Sequence, residues 1–177
     1  MREIIYYVAT SIDGYICGPD EDVSGFLQEG DAIDRYLQDL QKFDTVIMGK
    51  RTYEFGYKYG VEPGQPAYAH MEHYIFSRSL FFNSQSEKVH ICEPDIEIVK
   101  EIKLQKGTAI YLCGGGLFAG WLLDQGMVDI VKIKLNPLIL GDGVSLFGES
   151  KRQYKLKFIK GESFQYGLQM LTYRIEY

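Results

Sequence analysis

Three consecutive glycines, Gly114-Gly115-Gly116, follow an apolar run at 110–113 and precede a segment of helical composition at 117–125. This junction restricts the fold more than any other feature of the chain, because three glycines weaken a helix start unless something must approach the backbone closely. The free N–H groups and the positive dipole at a helix start favour an anion. The junction therefore indicates diphosphate binding, with a tight turn that holds no ligand as the alternative.

Apolar runs and helical periodicities alternate along the first 126 residues. Ile33, Tyr36, Leu37 and Leu40 recur at the spacing of an amphipathic helix that begins near Asp31. Further helices are predicted at 49–52 and 117–125, and the segment between 94 and 107 favours a helix, although its isoleucine-rich start is also compatible with an extended chain. Strands are predicted at 3–10, 45–48, 73–76, 88–92 and 108–113. Such alternation predicts a mostly parallel sheet.

The pattern changes after Gly126. Apolar and polar residues alternate at 128–135, with Lys132 and Lys134 on one side, and the segments 154–159 and 168–177 resemble a hairpin. We interpret all three segments as half-exposed antiparallel strands. The predicted fold class is α/β, with a mostly parallel central sheet, helices on both faces and an antiparallel C-terminal edge.

Size and charge limit the classes of function. The 177 residues, 46% hydrophobic and 24% charged, predict a single globular domain over 1–177. A net charge of -5 argues against nucleic acid or anionic membrane as a partner. The N-terminus has no signal-peptide pattern and no stretch is long enough to span a membrane, so we expect a cytoplasmic protein. The cysteines and histidines lack the spacing of a metal site, and no metal is expected.

Two further loops suit phosphate. Gly49-Lys50-Arg51-Thr52 follows the buried run at 45–48, and Ser77-Arg78 follows the run at 73–76. Taken alone, the first loop is equally compatible with a solvated helix start, and the second is more typical of an exposed turn. The first is not a Walker A loop, because Asp44 stands where that motif has its first glycine. Carboxyl ends of parallel strands share one edge of a sheet, so all three loops are expected to converge there.

The motifs, taken in order, resemble the dihydrofolate reductase-like fold, and within it the C-terminal reductase domain of the bifunctional riboflavin-biosynthesis deaminase-reductase. The resemblance rests on the opening segment at 9–16, on the motifs at 48–52 and 77–78, on the glycine triplet, and on 128–147 with Pro137 and Gly141-Asp142-Gly143. It covers nearly the whole chain and implies a three-layer fold, NADPH as cofactor and reduction of a small heterocycle.

The resemblance also implies roles for individual residues. Substrate is expected near Thr10, Asp13 and Gly14, and Asp34 is the candidate proton donor or ring anchor, with an ordinary exposed helical aspartate as the alternative. Cofactor contacts are expected from Ala9, Ile16, Gly49, Lys50, Arg51, Thr52, Ser77, Arg78, Gly114, Gly115, Gly116 and Leu117. Among these, Ser77 and Arg78 would meet the 2′-phosphate that distinguishes NADPH from NADH.

The leading functional hypothesis is NADPH-dependent reduction of a pyrimidine or related heterocycle, with 5-amino-6-(5-phosphoribosylamino)uracil as the family's best-known substrate. A dihydrofolate or pteridine reductase is the alternative enzyme, but the only tryptophan is Trp121, whereas folate reductases carry a Pro-Trp pair in the opening loop. A non-catalytic NADPH-binding sensor and a phosphosugar or mononucleotide binder are the alternatives from other classes. The resemblance and the β-rich C-terminal edge suggest a symmetric homodimer.

Overall fold

A computed structural model describes all 177 residues, and an eight-stranded sheet lies at its centre. The strands are β1 (Ile4–Thr10), β2 (Tyr15–Cys17), β3 (Thr45–Gly49), β4 (Glu72–Phe76), β5 (Val89–Cys92), β6 (Ile110–Gly114), β7 (Ile130–Leu135), β8 (Val144–Ser145), β9 (Lys155–Ser163) and β10 (Gln169–Glu176). The order in the sheet is β5-β4-β3-β6-β1-β7-β10-β9, and β2 pairs separately with β8. The six strands from β5 to β7 are parallel.

Four α-helices cover the two faces of the sheet. They are α1 (Asp31–Leu40), α2 (Lys50–Phe55), α3 (Ile96–Leu104) and α4 (Gly116–Asp124). Short 3-10 turns are formed by Pro19–Glu21, Gly56–Tyr59 and Gln165–Gly167. The predicted α/β class, including the antiparallel C-terminal edge, is confirmed, and the segment after Pro94 is helical. No helix of the chain combines the length and the apolar composition that crossing a bilayer requires.

Alternation along the central strands divides the core between the two faces. Tyr7, Met48 and Tyr111 are buried under α1 and α2, whereas Tyr6 and Leu112 are buried under α3 and α4. Successive side chains of a strand point to opposite faces of the sheet. A strand whose residues are all apolar therefore contributes to the core on both faces. This explains why the parallel strands were recognisable from composition.

The interpretation of 128–135 as a half-exposed antiparallel strand is wrong in one respect. β7 is antiparallel to β10 but parallel to β1, with Lys134 opposite Ala9. Helix α1 lies over the side that carries both lysines, and Lys134 is buried. The sequence pattern resembled a solvent-facing strand because lysine is rarely buried. The pair β2 and β8 was not predicted, since strands of three and two residues leave no periodicity to detect.

Candidate active site

The three loops predicted to suit phosphate lie beside one another at the carboxyl edge of the sheet. β4, β3 and β6 are consecutive in the strand order. Gly49 ends β3 and Gly114 ends β6, while Ser77 follows the last residue of β4. A ligand at this edge therefore meets all three loops together, as in other open α/β sheets.

Thr52, Gly115 and Ile16 meet between two of these loops. A side-chain Cβ at Gly115 would lie 3.2 Å from Thr52 Oγ1 and 4.0 Å from Ile16 Cδ1. Gly115 is half-buried and its peptide bond to Gly114 is cis. The structure thus brings together three of the predicted cofactor residues, from β2, from α2 and from the residue before α4.

Packing within the protein, and not space for a ligand, requires a glycine at position 116. A Cβ at this position would lie 2.0 Å from the Ser145 carbonyl oxygen, and one at Gly120 would lie 2.1 Å from the Phe147 carbonyl oxygen. The segment around β8 therefore packs directly on the backbone of α4. Of the triplet, Gly115 is the residue whose missing side chain leaves room on the Thr52 side, and Gly116 serves packing.

The start of α4 has free donors. Gly115 is its N-cap residue and no side chain caps the helix. The first N–H groups of a helix have no intrahelical partner, so they are directed at whatever lies beyond the helix. Leu117, in the first turn, is 56% exposed. This end of a nine-residue helix is able to accept an anion.

The cations at the carboxyl edge differ in their partners. Lys50 Nζ lies 3.7 Å from a Glu54 carboxylate oxygen and donates to Ser79 Oγ at 3.4 Å, which joins two of the loops. Arg51 and Arg78 are exposed and take part in no ion pair of the structure. Two guanidinium groups are therefore available to an anionic ligand.

Ser77 shapes the loop that carries Arg78. Its Oγ accepts the backbone N–H groups of Ser79, at 3.1 Å, and Leu80, at 3.0 Å. The hydroxyl proton of Ser77 remains available for donation because both of these bonds use the oxygen as acceptor. The serine thus holds the turn and presents one donor to the edge.

The residues predicted near the substrate hold the opening loop in place. Thr10 is buried, and its hydroxyl donates to the Ser11 carbonyl at 3.0 Å. Both carboxylate oxygens of Asp13 accept backbone N–H groups, from Leu140 at 3.1 Å and Gly141 at 2.7 Å. Hydrogen bonds, first from Ser11 and then from the Gly141 and Leu140 amides, lower the pKa of Asp13 to about 2.

The remaining opening residues are held by backbone geometry. Gly14 has φ +86°, a left-handed conformation that favours glycine, and its carbonyl accepts the Leu146 N–H at 2.9 Å. Ala9, half-buried near the end of β1, lies opposite Lys134. Asn136 accepts the Leu27 N–H at 3.1 Å and donates its own backbone N–H to Thr10 at 2.8 Å, and so ties the loop to the end of β7.

The two aspartates of α1 have different surroundings. Asp34 is exposed and forms neither an ion pair nor a side-chain hydrogen bond. Asp39 is buried and receives Arg35, Lys42 and Lys132 as cation partners. Despite the opposing effect of burial, which is the largest single influence, these hydrogen-bonded cations lower the pKa of Asp39 to about 2. Asp39 is therefore a structural ion-pair centre.

A polar cluster that the motif search missed lies under α1. The Tyr36 and Tyr111 hydroxyls are 2.7 Å apart, and the Tyr68 hydroxyl is 3.7 Å from Cys113 Sγ. Burial raises the pKa of Tyr36 and that of Cys113. Lys134 Nζ lies 4.3 Å from the centre of the Tyr36 ring. We call these five residues the tyrosine-lysine cluster. The only sequence signal for this cluster was the position of Tyr36 on the apolar stripe of α1, which predicted that its side chain is buried.

Two surface depressions lie elsewhere. One of about 420 Å³, lined by Arg2, Lys103 and neighbouring residues, lies at the amino edge of the sheet, and both named cations are already paired, with Asp44 and Asp129. A groove of about 550 Å³ separates the 20–28 segment from Phe55, Lys58 and Tyr59. The ion pair of Lys58 with Glu21, at 3.1 Å, spans that groove. The first depression lies at the edge of the sheet opposite the phosphate-suited loops, and three acidic residues, Asp20, Glu21 and Asp22, line the second.

The fold and the site define a protein of the dihydrofolate reductase-like class. In particular, the chain belongs to the RibD C-terminal domain family, whose model matches residues 2–170. This family is reductase-like. Two uncharacterized proteins of Bacillus subtilis strain 168 are similar in sequence: YyaP is 25% identical, covering 97% of this chain and 94% of its own, and YwjB is 27% identical, covering 96% of both.

Solved structures share the fold. A putative riboflavin biosynthesis protein from Shewanella sp. PV-4 superposes with a TM-score of 0.82 at 21% identity, with complete coverage of both chains. A pyrimidine reductase-like protein from Corynebacterium diphtheriae gives a TM-score of 0.71 at 18% identity over 99% of this chain and 92% of its own. Dihydrofolate reductase from Enterococcus faecalis gives 0.63 at 16% identity over 99% and 97%.

Proposed function

We propose that this protein is an NADPH-dependent reductase. The observation that carries the proposal is the adjacency of three phosphate-suited loops at the ends of β4, β3 and β6, with two unpaired guanidinium groups among them. A dinucleotide needs anion contacts along its diphosphate and a separate cation at the ribose phosphate. The half-buried Gly115, the uncapped start of α4 and the free Arg51 and Arg78 fit both requirements.

Each predicted cofactor residue has a part in this proposal. Gly49 to Thr52 and Gly114 to Leu117 would hold the phosphates, Ser77 and Arg78 would hold the 2′-phosphate, and Ala9 and Ile16 would meet the nicotinamide amide through their backbones. When bound, NADPH supplies the hydride, and the protein orients it toward the acceptor carbon. The opening loop, which Asp13 ties to the 138–141 turn, would border the substrate on that side.

The proposed substrate is a pyrimidine or related heterocycle, with the ribosylamino-uracil intermediate of riboflavin synthesis as the first candidate. Membership of the RibD C-terminal domain family supports this class. A folate substrate is disfavoured, because the only tryptophan, Trp121, stacks on Phe118 in α4, on the face of the sheet opposite α1, and no Pro-Trp pair stands in the opening loop. Thr10, Asp13 and Gly14 act in this proposal by shaping the loop over the substrate, and Asp34 stays a proposed proton donor.

Thermal titration with NADPH and separately with NADH tests the cofactor assignment. A ligand at 100 times its dissociation constant adds about 2.7 kcal/mol to the free energy of unfolding, which raises the midpoint of a domain of this size by about 5–10 °C. We expect that shift with NADPH and little with NADH. The absence of any shift contradicts the proposal. A shift without oxidation of NADPH under a panel of pyrimidines and pteridines identifies the sensor alternative.

A symmetric homodimer is proposed through the free edge of β9. Leu156, Phe158 and Ile159 on this strand are about half exposed between Lys155, Lys157 and Lys160, and the strand has no partner on its outer side, so a second copy could pair with it. Sedimentation equilibrium gives twice the chain mass of 20.3 kDa if this is correct. A monomer at micromolar concentration contradicts it.

A further inference from the structure

Two lysines on one strand face have opposite surroundings. Lys132 and Lys134 lie two residues apart on β7, and both extend toward α1. Lys132 pairs with the Asp39 carboxylate and lies 4.3 Å from the centre of the Tyr7 ring. Lys134 lies at the same distance, 4.3 Å, from the centre of the Tyr36 ring, but it forms no ion pair, and its Nζ atom, which has no hydrogen-bond partner, is not fully enclosed by the protein. The protein neutralises the first cation and leaves the second unpaired.

A lysine that is mostly buried and has no carboxylate partner is unfavourable. Lys134 is 8% exposed. Removing a charge from water costs several kcal/mol unless a partner replaces the water, and a cation-π contact recovers about 0.5–2 kcal/mol of that. Burial is the sole cause that lowers the pKa of Lys134, to about 8. An anion that joined this group would restore the missing partner, so the site has a built-in preference for negative charge.

The position of Lys134 is adjacent to the proposed cofactor site. Lys134 is opposite Ala9 across the β1–β7 pairing, and β1 is also paired with β6, which ends at Gly114. The hydroxyl of Tyr36 shares a hydrogen bond with the hydroxyl of Tyr111, which belongs to β6. Lys134 and the ring of Tyr36 therefore lie on the α1 face of the sheet, and only β1 separates β7 from the strand that leads into the glycine loop. A flat ring that carries negative charge on an oxygen matches these groups.

We propose that Lys134 is a substrate-binding residue whose ammonium group holds an anionic ring oxygen, of the imide or enol type, on a planar heterocycle. The proposal rests on the proposed function for its link to reduction and names the substrate class of that same site. The binding claim itself concerns only groups of this chain: Lys134 as the cation and Tyr36 as the aromatic wall. Pyrimidines whose ring oxygen is ionised near neutral pH should therefore bind more tightly than neutral rings of the same shape, such as uracil.

Barbiturate and uracil test this proposal, because both are pyrimidines of similar size and only barbiturate is an anion at neutral pH. Calorimetric titration at pH 7 without dinucleotide compares the wild type, Lys134→Met and the control Lys132→Met. We expect the wild type and Lys132→Met to bind barbiturate at least about tenfold more tightly than uracil, a difference of about 1.4 kcal/mol. Lys134→Met should lose that preference. Equal binding of both rings by the wild type, or an unchanged preference in Lys134→Met, overturns the proposal.

Chemical labelling gives a second measurement on the wild type alone. Reductive methylation followed by mass spectrometry should modify Lys134 more slowly when barbiturate is present than when uracil is present. Equal rates of modification contradict the proposal. Titration of the same variants with NADPH separates the two hypotheses: NADPH binding by Lys134→Met together with lost barbiturate preference supports both, whereas barbiturate preference without any NADPH binding overturns only the proposed function.

Discussion

Thr52 and Gly115 approach each other so closely that a side chain at position 115 would lie 3.2 Å from the threonine hydroxyl oxygen. One residue belongs to the helix after β3 and the other to the loop after β6. Neighbouring parallel strands thus bring two separate glycine-containing motifs into contact. Because a single hydroxyl group limits the space at this point, substitutions as small as one methyl group can test the contact.

Gly115→Ala should weaken NADPH binding more than it weakens the fold. The backbone at Gly115, with φ -90°, accepts alanine, so the cost in the free energy of unfolding is about 1 kcal/mol, from the crowding of Thr52. The methyl group occupies the space proposed for phosphate. The thermal shift with NADPH should fall to less than half. Combining Gly115→Ala with Thr52→Ala should restore stability, and strict additivity of the two substitutions would contradict the contact.

Gly116→Ala should destabilise the fold severely. Its methyl group would lie 2.0 Å from the Ser145 carbonyl oxygen, and backbone cannot move aside as a flexible side chain does. We expect a loss of about 3 kcal/mol or more in the free energy of unfolding in urea. Leu117→Ala, at an exposed position in the same turn, is the control and should cost less than about 1 kcal/mol. Similar stabilities of the two variants would contradict this packing explanation.

Arg78→Ala should remove the preference for NADPH over NADH. The guanidinium group is exposed and without an ion-pair partner, so the folded state does not depend on it. Losing a charge-assisted pair with a phosphate costs about 1.5–3 kcal/mol, or about tenfold to a hundredfold in affinity for NADPH alone. Arg152→Ala, whose side chain bonds the Asp124 carbonyl at the far end of α4, is the matched control. Equal loss of NADH binding would mean that Arg78 meets the diphosphate instead.

Lys134→Met should stabilise the protein at neutral pH. The folded-state pKa of about 8 is below the ordinary 10.5, so below pH 8 the folded chain carries a protonated amine that it disfavours. The penalty, up to about 3 kcal/mol, is fully present below pH 8 and disappears as pH rises to about 10.5. Urea unfolding between pH 7 and 10.5 should show the advantage of the variant shrinking. Lys132→Met should instead destabilise, because it removes a partner of Asp39.

Asp13→Asn should loosen the opening loop in a pH-dependent way. The folded-state pKa of about 2 is below the ordinary 3.8, so the carboxylate stabilises the fold above pH 4 and loses that effect as pH falls toward 2. The thermal midpoint of the wild type should exceed that of Asp13→Asn at pH 6, and the gap should narrow between pH 4 and 3. A difference in thermal midpoint that does not change with pH would mean that Asp13→Asn destabilises the protein for a reason other than loss of the carboxylate charge. Hydrogen exchange of the Leu140 and Gly141 amides locates the change.

Much of the architecture was predictable because it depends on short-range patterns. The buried runs at 45–48 and 110–113 are fully apolar strands between turn signals, and their alternation with helices restricts a sheet to parallel pairing. The glycine triplet marked the edge of the sheet where the proposed cofactor site lies. The short pair of β2 and β8 escaped detection, since its partners are more than a hundred residues apart and are held by the opening loop.

The roles of individual side chains depended on what the folded chain places around them. Asp34 and Asp39 are both acids on one helix, yet only the tertiary structure shows that the first faces solvent and the second lies among three cations. Gly115 and Gly116 are equivalent in sequence, but different neighbours leave room at one and fill the other.

The sequence by itself determined the fold class, the family resemblance and the convergence of the three phosphate-suited loops at one edge of the sheet. These properties follow from hydrophobic periodicity and glycine placement, which are local in the chain. Only the tertiary structure decided that Lys132 is neutralised and that Lys134 is not. The reason is physical: strand alternation gives both lysines the same face, and the helix that covers that face supplies a carboxylate at Asp39 for one and the aromatic ring of Tyr36 for the other.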